Sequence, residues 1–213
     1  MFGFWERNCF PSITKDKSRQ RPAEHGEAQI MNIKNLTAAC IFLLAGAAVT
    51  GHAAETKWIN PAIADFGASA DLPNAAMQPD KNADYKVVFN ITQGAAANEK
   101  INPSLERVAR AANIFVSAGV PLSHLHFVAV VHGPATPSIL DNDHYKEKFS
   151  VDNPNVKLIS ELKAAGVKVV VCGQALAGQK FPHEWVNPDV EITLSAISSV
   201  IMLEMQGYAM LPM

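Results

Sequence analysis

The sequence predicts an α/β domain, a three-layer α/β/α sandwich around a mostly parallel sheet of about five strands. Three observations predict it. Short apolar runs rich in β-branched residues recur along the chain, at Tyr85 to Ile91, Leu125 to Val131 and Val167 to Cys172. Continuous runs of this kind mark strands buried on both faces, as parallel strands are. Between the runs lie segments whose apolar residues fall at the i, i+3, i+4 spacing of an amphipathic helix. The alternation is that of βαβ units joined by right-handed crossovers.

Taken in order, Tyr85-Lys86-Val87-Val88-Phe89-Asn90-Ile91 is the first strand, and Thr92-Gln93-Gly94 ends it. Asn102 caps the first helix and Pro103 opens it, where the missing N–H costs nothing. Leu105, Val108, Ala109, Ala112 and Phe115 form its apolar stripe, and Gly119 and Pro121 stop it. Leu125 to Val131 is the second strand, closed by His132-Gly133-Pro134. A short polar helix is expected from Asp141 to Lys148. Asn153-Pro154 repeats the cap-plus-proline signal before the stripe Val156, Ile159, Leu162, Ala165, and Gly166 ends that helix. Val167 to Cys172 is the third strand, and Gln174 to Trp185 reads mostly as loop. Val190 to Leu194 is a fourth strand, Ala196 to Gln206 a helix apolar on most faces, and Tyr208 to Leu211 a closing strand. The strand order is not readable from these signals.

The N-terminal quarter differs in kind. Leu36 to Val49 is apolar and uncharged, Lys34 precedes it, and Gly51 and Ala53 suit the −3 and −1 positions of a signal-peptidase site. These are the parts of a secretory signal peptide, and the run is shorter than the roughly 20 residues of a spanning helix. Residues 31–53 are therefore expected to be a signal peptide beginning at Met31. Residues 1–30 read as an over-extended start or a disordered leader. Periplasmic location, with no stable membrane anchor after cleavage, follows. Residues 54–84, with Pro61, Pro73 and Pro79, read as an extended arm whose Trp58, Ile59, Ile63 and Phe66 pack against the domain or a partner chain; residues 85–213 are the domain.

A net charge of −2 gives no global attraction to nucleic acid or anionic lipid, so function is sought in a local site. Of the three cysteines, Cys9 and Cys40 precede the expected cleavage, which leaves Cys172 alone. A lone thiol in an oxidising compartment points to intermolecular pairing or reactivity. Ligands of open parallel sheets bind outside the carboxyl ends of the strands. Cys172 and His132 both sit there, as candidate thiolate and its proton-accepting partner. Asn90, Gly133, Gly173 and Gln174 line the same rim as candidate ligand-binding residues, with Gln174 as a hydrogen-bond donor to the sulfur. Packing of a small hydrophobe is the alternative for Cys172. His124 and His126 alternate along the second strand, but no compact metal-ligand spacing appears, and no nucleotide or hydrolase motif does. No metal or cofactor is expected. The methionines Met202, Met205, Met210 and Met213 suit either core packing or a subunit interface.

The segments KVVFNI, VVHGPA, VKVVVCGQAL and SAISSVIMLEMQGYAML, in this order, resemble the DsrE/DsrF-like family from about Tyr85 to Leu211. The resemblance implies a three-layer domain that forms homo-oligomers, trimers or hexamers. It also implies a cysteine, at the position of Cys172, on which intracellular members bind or relay sulfane sulfur, with a thiol-bearing partner protein as the expected acceptor. His132 lies where exported members often carry histidine. The signal segment and the proline-rich arm depart from the cytoplasmic members, so the resemblance implies the fold more closely than the reaction.

Overall fold

A computed structural model describes residues 56–213; the expected leader and signal peptide lie outside the described residues. The elements are β1 (Trp58–Ile59), β2 (Ser69–Ala70), β3 (Tyr85–Ile91), α1 (Pro103–Ser117), β4 (Leu125–Val131), α2 (Asn142–Phe149), α3 (Val156–Ala164), β5 (Lys168–Cys172), α4 (Gly173–Gln179), β6 (Glu191–Thr193), α5 (Ala196–Met205) and β7 (Ala209–Pro212). The strands β3 to β7 form one five-stranded sheet, all parallel, in the order β6-β5-β4-β3-β7. The predicted α/β fold is the one observed.

The order explains how the layers fill. The chain steps from β3 to β4 to β5 to β6 in one direction, then returns once, through α5, to β7 on the far edge. Right-handed crossovers put helices that travel in opposite directions on opposite faces. One face therefore receives α1 and α3, and the other receives α5 alone.

The first face holds the larger core. Phe89, Ile91, Phe127, Ala129, Val131, Val169 and Val171 point into it and meet Leu105, Val108, Ala112, Leu158, Ile159 and Leu162 from the helices. Phe89 and Phe127 pack edge to face at 5.1 Å between centroids, and Phe115 continues the chain of rings to Tyr85. The alternate residues Val88, Val128, Val130, Val170 and Cys172 point to the second face, where Ala196, Val200, Leu203 and Tyr208 cover them. The outward side of α5 and its flanks is bare: Leu194 and Ile197 are each 75% exposed and Met205 is 82% exposed. Met202 and Met205 are exposed and so do not pack in this chain's core.

The arm docks through α1. The buried Asn113 side chain accepts the amides of Ala62 and Ile63 and donates to the carbonyls of Phe66 and Gly67. Gly67 has φ +65°, and a Cβ there would lie 2.3 Å from the Arg110 amide, so only glycine fits. Ile63 is buried in the core as expected, whereas Trp58 is exposed and pairs only its backbone, in a two-strand ladder with Ala70.

Several local readings need correction. The segment after Cys172 is not mainly loop, since α4 begins at Gly173 directly. The third helix starts at Val156 rather than Pro154, because Asn153 uses its side-chain oxygen on the Asn155 amide in a local turn. β6 is shorter than Val190 to Leu194. His124 closes a short 3-10 turn before β4 and so does not share a strand with His126, whose ring bonds Asp84 at 2.9 Å. The polar helix does form, as α2, capped by the Asp141 carboxylate on the His144 amide. Among the described residues no helix is long and apolar enough to cross a membrane.

Candidate functional site

The carboxyl ends of β3, β4 and β5 are adjacent on one rim. The register pairs Asn90 with Val130, and Val131 with Val171, so His132 and Cys172 are the next residues on neighbouring strands. Side chains alternate along a strand, and Val88, Val130 and Val170 all face α5. Asn90, His132 and Cys172, each two residues on from one of these, share that face. The sequence placed these residues on one rim, and the register places them on one side of it.

Cys172 also stands where the sheet changes winding. The connection leaving β5 turns to α4, whose Leu176 packs into the α1/α3 core, while the connection leaving β6 turns to α5 on the other face. Crevices open where neighbouring strands send their chains to opposite faces. The close passage here fixes Gly173, because a Cβ would meet the Thr193 carbonyl oxygen at 2.8 Å. Cys172 is the residue that caps α4, and the N–H groups of the first helical turn have no partners within the helix. Cys172 as a residue is 6% exposed, free of any disulfide, and packed among the valines of β3, β4 and β5.

His132 is half-buried, and its Nε2 lies 2.8 Å from Asn90 Oδ1. With an amide oxygen as acceptor, the ring hydrogen belongs on Nε2, and Nδ1 keeps its lone pair. Burial lowers the His132 pKa below the usual histidine value, so the neutral ring is favoured. A neutral imidazole with one fixed donor and one free acceptor can take a proton. Among the described residues no hydrogen bond joins it to Cys172.

Gly133 has φ +57°, the left-handed region, and its carbonyl accepts from the Thr136 hydroxyl and from Gln179 Nε2, each at 2.8 Å. Gln174 is not turned to the sulfur. It is exposed, and its amide nitrogen lies 3.4 Å from the Leu194 carbonyl. Gln179 was not singled out from the sequence, because a glutamine in a segment read as loop carries no signal; the helical period of Gly173 to Gln179 is the clue that places it. Among the described residues no three His, Cys, Asp or Glu side chains gather to hold a metal.

The DsrE/DsrF-like family model matches residues 85–213, and the chain belongs to that family, which is tied in general to sulfur relay. Among solved structures, a protein of unknown function from Methanobacterium thermoautotrophicum, MTH1491, is similar at 17% identity and TM-score 0.46. The match covers 61% of this chain and 100% of that one. The ychN protein of E. coli is similar at 17% identity and TM-score 0.45, covering 61% of this chain and 99% of that one. Among curated proteins none matches.

Proposed function

We propose that this chain is an exported sulfur-binding or sulfur-transfer protein that carries sulfane sulfur on Cys172. The observation that supports the reading most is the position of Cys172: it caps α4 at the switch point of the sheet, in register beside His132. His132 takes the thiol proton at Nδ1. The thiolate attacks the terminal sulfur of a persulfide or polysulfide donor, the donor S–S bond breaks, and the shortened donor thiolate leaves and is reprotonated. Cys172 is then a persulfide. A partner thiolate attacks its outer sulfur and Cys172 thiolate departs, so no outside oxidant or reductant is needed. Asn90 keeps the ring in the tautomer this requires.

Incubation with polysulfide followed by mass spectrometry tests the reading. Added sulfur on wild type and none on Cys172→Ser supports it; none on wild type, or equal addition to both, rejects it.

A second reading is favoured by a different observation, the bare apolar side of α5 together with the packed thiol. In it the chain is an assembly module whose cysteine is structural, and α5 meets further copies in trimers or hexamers. Patches of this kind on a single chain mark interaction surfaces. Sedimentation at micromolar concentration tests it: a trimer or hexamer is expected, and a monomer at all concentrations opposes it.

A further inference from the structure

We infer that Gln179 is a positioning residue that holds the His132 turn in register with Cys172. The inference rests on the sulfur-carrier reading and extends it to a residue outside the rim itself. α4 follows Cys172 directly and ends at Gln179, so one short helix separates the thiol from the amide that reaches the neighbouring turn. The amide Nε2 of Gln179 donates to the Gly133 carbonyl at 2.8 Å, in a partly buried setting. That carbonyl belongs to the residue directly after His132, and the Thr136 hydroxyl occupies its second lone pair. Gly133 needs φ +57°, a conformation with little intrinsic preference, so both hydrogen bonds select it over the alternatives open to glycine.

The His132 backbone is then fixed from three sides. Its amide donates to Ile91 at 3.0 Å, its carbonyl accepts from Ala135 at 3.2 Å, and Gln179 holds the next peptide. Held in this way, the side chain meets Asn90 at 2.8 Å. Without the Gln179 donor, β4 and β5 would keep their pairing but lose the side-chain bond from α4 to the residue after His132.

Gln179→Met removes the donor while keeping length and volume, and Gln179→Lys restores a donor of similar reach. Two readouts separate positioning from mere stability. The first is the nitrogen spectrum of the His132 ring: one tautomer, protonated at Nε2, is expected in wild type and in Gln179→Lys, and a mixture in Gln179→Met. An unchanged tautomer in Gln179→Met overturns the inference, whatever the sulfur chemistry does. The second is a double-mutant cycle on the rate of sulfur uptake by Cys172. Loss of one neutral hydrogen bond predicts a fall of about threefold to tenfold for Gln179→Met, and none in a His132→Gln background if Gln179 acts through that ring. Equal falls in both backgrounds overturn it. Failure of wild type to take up any sulfur rejects the carrier reading instead, and is told apart because the tautomer signal does not depend on it.

Discussion

The two faces of the sheet are built to different standards. Against the α1/α3 face lie those two helices, Tyr145 of α2, Leu176 of α4, Ile63 of the docked arm and a run of aromatic rings around a large buried core. Against the other lies one helix, with apolar side chains bare on its outer side and Cys172 packed near Ala196 at its start. The difference follows from handedness: three crossovers travel one way and a single one returns. It teaches that most of the buried core lies on one face and that the proposed sulfur site lies on the other, so substitutions on the two should fail in different ways.

The largest effect is expected deep in the sealed face. Phe127→Ala removes a ring packed against Phe89 and Phe115 and should cost about 3–5 kcal/mol in urea unfolding. A cost below about 1 kcal/mol, the range of ordinary surface changes, would mean the face is not the core described here. Next is Asn102→Ala. Asn102 caps α1 through the amides of Ser104 and Leu105, and its Nδ2 donates to Gln93 and Ser138. Losing a cap and leaving a buried acceptor unpaired should cost about 2 kcal/mol, read in the same way.

On the thin face, Ile201→Ala alters a half-exposed side chain and should change the stability of a dilute single chain by no more than about 0.5 kcal/mol. Ile197→Asp on the same face should instead lower the mass seen in sedimentation, if α5 meets other copies. A stability loss from Ile201→Ala as large as that from Phe127→Ala would erase the contrast between the faces.

The smallest effect is pH-dependent. The folded His132 pKa lies below its unfolded value because burial disfavours the charged ring. The unfolded state therefore binds the proton first, and stability falls as pH drops from about 6.5, the unperturbed histidine value, through the folded value. His132→Gln should flatten that part of the stability–pH curve, and an unchanged curve would place the ring in water.

Much of this was legible in the sequence, for identifiable reasons. The β-branched runs gave β3, β4 and β5 because a strand buried on both faces has no polar alternation to obscure it. Asn102-Pro103 marked α1 because cap and first-turn proline act locally. What escaped was non-local or locally ambiguous. The strand order depends on where the single return crossover lies, which no short window contains. α4 escaped because Gly173, Gly178 and two alanines dilute its helical period. Asn153 misled because its side chain serves a turn instead of a cap. At the rim, chain position alone brought Asn90, His132 and Cys172 to one end of the sheet. Their sharing of one side needed the register, and the Gln174 amide, expected at the sulfur, turns to Leu194 instead.

The account depends on a thiol at the edge of the thin face that opens to solvent without the sealed face unfolding. The rate of alkylation of Cys172 in the folded protein, measured against the rate of global unfolding, tests this most directly. Modification that outruns unfolding by orders of magnitude, and that prior sulfur loading blocks, is the predicted result. Modification that proceeds only as fast as the whole domain unfolds would make Cys172 a packing residue and contradict the account.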